Sequence, residues 1–365
     1  MASRRWCIPP TLRSSPSEKL EASEVLMENP SRLGVVLWLS VVDVSLWGKT
    51  GPDARPSLFH VGASATRQRF IAEVVNDADL AARLNTIAAM LELPESVTGT
   101  GIAVACSDVA QWAAVRNLPK TAVAFHEAAA AADPADPWGP LHVGLGAAAV
   151  GQFARAETWL RYAIGIARRA GERVVYARAA AGLARTLLDA GHEAEAERQA
   201  RIALRASRRC ACGTARGEAL YVLFRCALAQ GDAQKADLLT VRVLRALGPV
   251  EHDLVPFVLV HSARSLLDRG EAKRALAVVV SMPVLPAGHP LVPAKWALLG
   301  RVYAMTGERV QFTWSWSRAW VNRRQVVDRR LAQDVANDLL TAAKQAGDRR
   351  REERVVRFFA TTSLL

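Results

Sequence analysis

Gly151-Gln152-Phe153-Ala154-Arg155-Ala156-Glu157 returns as Gly191-His192-Glu193-Ala194-Glu195-Ala196-Glu197 and again as Gly231-Asp232-Ala233-Gln234-Lys235-Ala236-Asp237. The turn glycine continues at Gly270, Gly307 and Gly347, so the successive intervals are 40, 40, 39, 37 and 40 residues. Alanine stands five positions after the first four glycines, at Ala156, Ala196, Ala236 and Ala275. A fixed period of this size indicates stacked supersecondary units rather than one globular core. Glycine supplies the left-handed residue that ends one helix, and the small alanine lets the next helix pack closely against it.

Working back from Gly151, the pattern predicts a first, degenerate helix pair beginning near Ser107, with Asn117 where later units place glycine. Pro134 closes that pair, and the next begins at Trp138. Towards the N-terminus, Pro9, Pro10 and Pro16 in a Ser-, Arg- and Glu-rich stretch predict a disordered arm over residues 1–29, with one helix near 17–27. Residues 30–100 read as an N-terminal helical cap, with helices at 32–47, 65–75 and 77–93 separated by breaks at 48–56 and 94–101. Residues 101–365 then form the repeat array. Hairpin turn signals between alternating apolar and polar residues are missing, so the fold class is all-α. Half of the 365 residues are hydrophobic and few are aromatic, which favours helix throughout.

The residues also carry a family resemblance. Trp296-Ala297-Leu298-Leu299-Gly300-Arg301-Val302-Tyr303, followed by Gly307, resembles the first helix of a tetratricopeptide repeat. Val143-Gly144, Ala147, Gly151, Phe153, Ala156, Leu160 and Ala163 follow the fuller family pattern. The resemblance implies a helical-hairpin solenoid, a right-handed superhelix whose first helices line a peptide-binding groove, and it implies no chemistry. Two departures stand out. The period is nearer 40 than the family's 34, and Phe312 replaces the small alanine of its unit, which should splay or repack that helix pair.

Six residues before successive turn glycines lie Arg185, Arg225, Arg264 and Arg301. The resemblance places that position on the groove, with Arg178 and Tyr221 at other groove positions. Four guanidiniums in register would suit an extended acidic segment. Internal pairing is the competing reading: Asp189 and Asp268 follow Arg185 and Arg264 at i, i+4, whereas Ala229 and Met305 stand four after Arg225 and Arg301. The formal charge of +12 points the same way, towards acidic partners.

Other chemistries find little support. His126-Glu127 and His192-Glu193 lack the second histidine of a zinc-protease helix, since Ala130 and Ala196 take its place. Cys210, Cys212 and Cys226 have no nearby histidine to complete a zinc site, and five cysteines in so long a chain make no disulfide framework. Gly144 to Gly151 resembles a dinucleotide loop only superficially, with no preceding strand. Trp316 and Trp320 read as core and Trp314 as exposed. No cofactor, metal or catalytic residue is expected, and the chain reads as no enzyme. The run 35–47 is too short to span a bilayer and contains Asp43, and residues 1–10 carry no apolar signal, so the expectation is a cytoplasmic protein with no membrane span. The basic pairs near the C-terminus alternate with acids, and no specific nucleic-acid partner is expected. A peptide-responsive regulator, with the first 100 residues transmitting the signal, is the main alternative function, and nucleic-acid binding through the basic surface a lesser one.

Overall fold

The computed structural model describes residues 24–50, 69, 71–92, 98–248, 252–326 and 329–361. Every regular element among them is a helix. Two compact units divide at Val222/Leu223.

In the first unit, α1 (Arg32–Thr50) and α2 (Ala78–Glu92) precede three hairpins. These are α3 (Gly99–Val115) with α4 (Pro119–Ala132), α5 (Trp138–Ala149) with α6 (Phe153–Ala170), and α7 (Arg173–Asp189) with α8 (Glu193–Arg209). The boundary between units falls inside α9 (Gly213–Ala229). The second unit continues with α10 (Ala233–Leu247), α11 (Leu254–Asp268), α12 (Ala272–Val280), α13 (Val292–Thr306), α14 (Arg309–Asn322), α15 (Arg329–Gln345) and α16 (Arg349–Thr361).

The repeat turns take the form that the glycine spacing requires. Gly151, Gly191, Gly231, Gly270, Gly307 and Gly347 all have φ between 68° and 90°, the left-handed region where a Cβ is strained. Asn117 takes the same role at φ 59°, a conformation its short polar side chain tolerates. A second series ends α6 and α8, with Gly171 at φ 75° and Ala211, forty residues on, at φ 53°. The long period comes from long helices: α7 and α8 have 17 residues each, about 25 Å at 1.5 Å per residue.

The first hairpin starts earlier than the sequence suggests. α3 begins at Gly99, not Ser107, because Thr98 caps it by accepting from Gly101 N–H at 3.2 Å. α2 packs on α3 and α1 on α4, burying Leu37, Val41, Leu80, Leu84, Ile87, Cys106 and Phe125 together. Asp77 caps α2 through Asp79 and Leu80 N–H and also accepts from Trp112 Nε1 and Arg116, which holds its carboxyl below the usual range. Of the expected arm, residues 1–23 lie outside the described residues. Residues 24–28 are helical, and Glu28 accepts from the N–H groups of Lys120 and Thr121 at the start of α4. Residues 65–68 and 70 of the expected 65–75 helix also lie outside the described residues, with 69 and 71–74 helical.

Small residues set the spacing within hairpins. A Cβ on Gly144 would lie 2.6 Å from Leu160 Cγ, so α5 and α6 touch where only glycine fits. In the second unit Phe312 is buried in the core with Trp316, Trp320, Leu298, Val302 and Leu339. Gly300 on α13 faces the backbone of Trp316 on α14, a Cβ there lying 3.8 Å from Trp316 N. Trp316 and Trp320 stack at 5.3 Å in that core, and Trp314 is half exposed, as the sequence indicates.

Candidate interaction face

Each turn glycine fixes the register of the helix before it, so equal offsets from the glycines mark equivalent places on the first helices. Six residues back stand the four ladder arginines, which the structure places in two environments.

In the second unit Arg264 and Arg301 are matched by carboxylates from neighbouring repeats. Arg301 on α13 is 5% exposed. It donates through Nη1 to Asp338 Oδ1 at 2.8 Å and through Nη2 to Asp268 Oδ1 at 2.7 Å. Arg264 on α11 grips the other oxygen of Asp338 through Nε and Nη2, at 3.0 and 2.7 Å, and reaches Asp334 at 2.8 Å. Asp338 is 1% exposed and both its oxygens are occupied. Arg225 lies near enough to Asp334 and His261 to bias their titration. Arg264 and Arg301 are therefore matched by three carboxylates, Asp268, Asp334 and Asp338. Burial and the neighbouring Arg225 and Arg264 keep His261 neutral, well below the ordinary histidine range. Desolvation raises Asp334 despite the arginines.

In the first unit Arg185 stands 3.8 Å from Glu218. Arg178 lies 5.4 Å over the ring of Trp138, which stacks on His142 at 5.9 Å; His142 stacks on His126 at 4.9 Å. Trp138 is 37% exposed and forms the open end of this column. Burial pushes the His126 ring down to about 3, with help from His142, and burial with Arg178 pushes His142 to about 4. Tyr221 is buried at 4% exposure, so it contributes to packing rather than to an open surface.

The expected i, i+4 pairing is not what neutralises the ladder. Asp268 serves Arg301 of the next repeat, and Arg301, which has Met305 four residues on, holds two carboxylates. Sequence reasoning missed these acids, although the same counting finds them. Asp338 lies nine and Asp334 thirteen residues before Gly347, while Glu218 lies thirteen before Gly231. His142 and His261 stand at nine and Trp138 and Arg178 at thirteen, whereas Gly182, Val222 and Leu298 take offset nine and Phe257 and Ala294 offset thirteen in the other units.

Among the described residues no group of three His, Cys, Asp or Glu stands close enough to hold a metal ion. Among the described residues, Cys106, Cys210, Cys212 and Cys226 are in no disulfide. No described helix is long and apolar enough to cross a membrane.

No family model matches the chain, and no curated protein matches it in sequence. Solved structures do match its fold. A Rap protein complexed with competence and sporulation factor aligns with 90% of this chain and 98% of its own at 11% identity and a TM-score of 0.53. The apo form of RapI covers 93% of this chain and 96% of its own, at 12% identity and 0.55. Aspartyl phosphate phosphatase F from Bacillus subtilis covers 96% and 94%, at 10% identity and 0.53. These are tetratricopeptide-like structures, and the chain shares their all-α, helical-hairpin repeat fold.

Proposed function

We propose that this chain is a non-enzymatic protein-interaction scaffold that captures an extended, acidic segment of a partner on the first-helix face of its repeats. The observation that supports the reading is arginine six residues before four successive turn glycines, at Arg185, Arg225, Arg264 and Arg301, with Arg178 over the part-exposed ring of Trp138. Repeats of this kind present such faces to peptides, where main-chain and side-chain groups are read one after another. Within the face, Arg178, Arg185 and Arg225 supply the cationic contacts. Arg264 and Arg301 are already matched by carboxylates and act as a rigid polar wall.

The test is fluorescence anisotropy on an array of labelled ten-residue peptides of graded Glu and Asp content. Wild type is compared with an Arg178→Glu, Arg225→Glu double variant of equal helicity and melting temperature. Preferential binding of acidic peptides, weakened at least tenfold in the variant, supports the reading. Indifference to peptide charge, or equal affinity in both proteins, removes it. Arg301 is unsuitable for this purpose, because its replacement would strand Asp338.

A peptide-responsive regulator is the second reading. It is favoured by one observation: the likeness to the Rap protein complexed with competence and sporulation factor spans 90% of this chain. It predicts that a bound peptide slows amide exchange within residues 30–100, and unchanged exchange there would count against it.

A further inference from the structure

Several arginines on these helices face a carboxylate: Arg155 meets Glu127, Arg161 meets Glu157 and Glu195, Arg201 meets Glu197, and Arg269 meets Asp237. One edge of the first unit gathers three that do not around a single recess. There α6 and α8 end and α7 begins, and Arg168, Arg173 and Arg209 line a recess of about 600 Å³. All three are exposed, and none is paired with a carboxylate among the described residues. The floor is apolar, built from Ala167, Ala206 and the half-buried Tyr176. Glu172, the acid nearest in sequence, lies close enough to Asp136 to help raise that carboxyl.

Helix-end arithmetic explains part of this arrangement. Arg168 and Arg209 occupy the last turns of α6 and α8, where cations offset the helix dipole. Arg173 has no such role. It stands in the first turn of α7, where a cation is disfavoured, and lines the recess with the other two.

We infer that this recess is a carboxylate-binding site that anchors an acidic peptide segment, separate from the offset positions on the first helices. The inference rests on the acidic-partner reading proposed above and locates its strongest electrostatic contact. Arginine forks match carboxylates in bidentate geometry, and three of them line one recess with no carboxylate partner among the described residues. The floor decides for a peptide over a nucleic acid. Apolar side chains beside the acids would bury against Tyr176 and the alanines, whereas a phosphate backbone would leave that floor wet.

The experiment measures binding of a labelled decamer of alternating Glu and Leu to the full-length protein at physiological salt. Three variants of unchanged helicity are compared with wild type. The first is Arg168→Glu, Arg173→Glu, Arg209→Glu. The second is the charge-matched control Arg242→Glu, Arg245→Glu, Arg309→Glu, at exposed positions outside the recess. The third is Arg178→Glu, Arg225→Glu. At least a tenfold loss in the first variant, with less than a threefold loss in the control, is the expected result. Equal losses in those two would mean diffuse charge attraction and overturn the site. Loss confined to the third variant would overturn the recess while leaving the acidic-peptide reading intact, and no binding to wild type would overturn both. Tighter binding of a single-stranded oligonucleotide of equal charge, lost in the first variant, would reassign the edge to nucleic acid and overturn the peptide inference.

Discussion

Replacing Asp338 by alanine would leave Arg264 and Arg301 without their shared acceptor in a site where Asp338 is 1% and Arg301 5% exposed. Breaking a buried pair on one side costs about 3–5 kcal/mol, and urea titration should show a loss of that order; a loss below about 1 kcal/mol would mean the guanidiniums simply turn to solvent. The histidine column gives a pH signature. His126 and His142 are held neutral in the folded protein at about 3 and about 4, against an unperturbed value near 6.5. As pH falls below 6.5 the unfolded chain takes up these protons first, so each ring should remove up to about 1.4 kcal/mol of stability per pH unit until its folded value is reached. His126→Gln should flatten the slope of unfolding free energy between pH 6.5 and 4 by close to one proton, and an unchanged slope would refute the assignment. At this scale the sequence was half legible. Counting back from the glycines located the arginines, but partners were sought one turn away on the same helix. The acids that meet Arg264 and Arg301 come from other repeats, at offsets visible only when the counting is extended to every residue type.

Ala211 tests the turn chemistry at the level of the helix. It ends α8 at φ 53°, where its counterpart forty residues earlier is Gly171. An alanine there carries left-handed strain, so Ala211→Gly should stabilise the protein by about 0.5–1 kcal/mol, net of glycine's greater unfolded-state entropy. A thermal melt checks it, and a lower midpoint would show that the local strain is relieved some other way. Gly144→Ala is the converse case. Its new Cβ would press on Leu160, and a loss of about 1–3 kcal/mol is expected in chemical denaturation. Turn glycines and the small residues after them made the hairpins legible from Trp138 onward. The start of α3 was misread because Gly99 and Gly101 look like breakers in sequence. Only the Thr98 cap, a side-chain contact to Gly101 N–H, turns them into the first turn of a helix.

For the whole molecule, the repeat period and the absence of strand patterning made the all-α hairpin architecture readable, because each unit repeats one local solution and needs no long-range information. Contacts between repeats are where legibility ended, since they depend on which helices neighbour one another. Local opening is easiest where a helix has few packed neighbours. α16 packs on α15, whereas α13 packs on α11, α14 and α15. Amides of α16 should therefore exchange at least tenfold faster than those of α13, and equal rates would indicate one cooperative block. The Asp338 clasp has a consequence for chain length. α15 supplies Asp334 and Asp338, the carboxylates that neutralise arginines on two preceding hairpins. A protein cut after α14 would lose both acids, and Arg264 with Arg301 would turn from a closed polar wall into an open cationic one. Such a fragment would acquire an affinity for polyanions that the intact chain lacks at that place. The last hairpin is a built-in counter-ion.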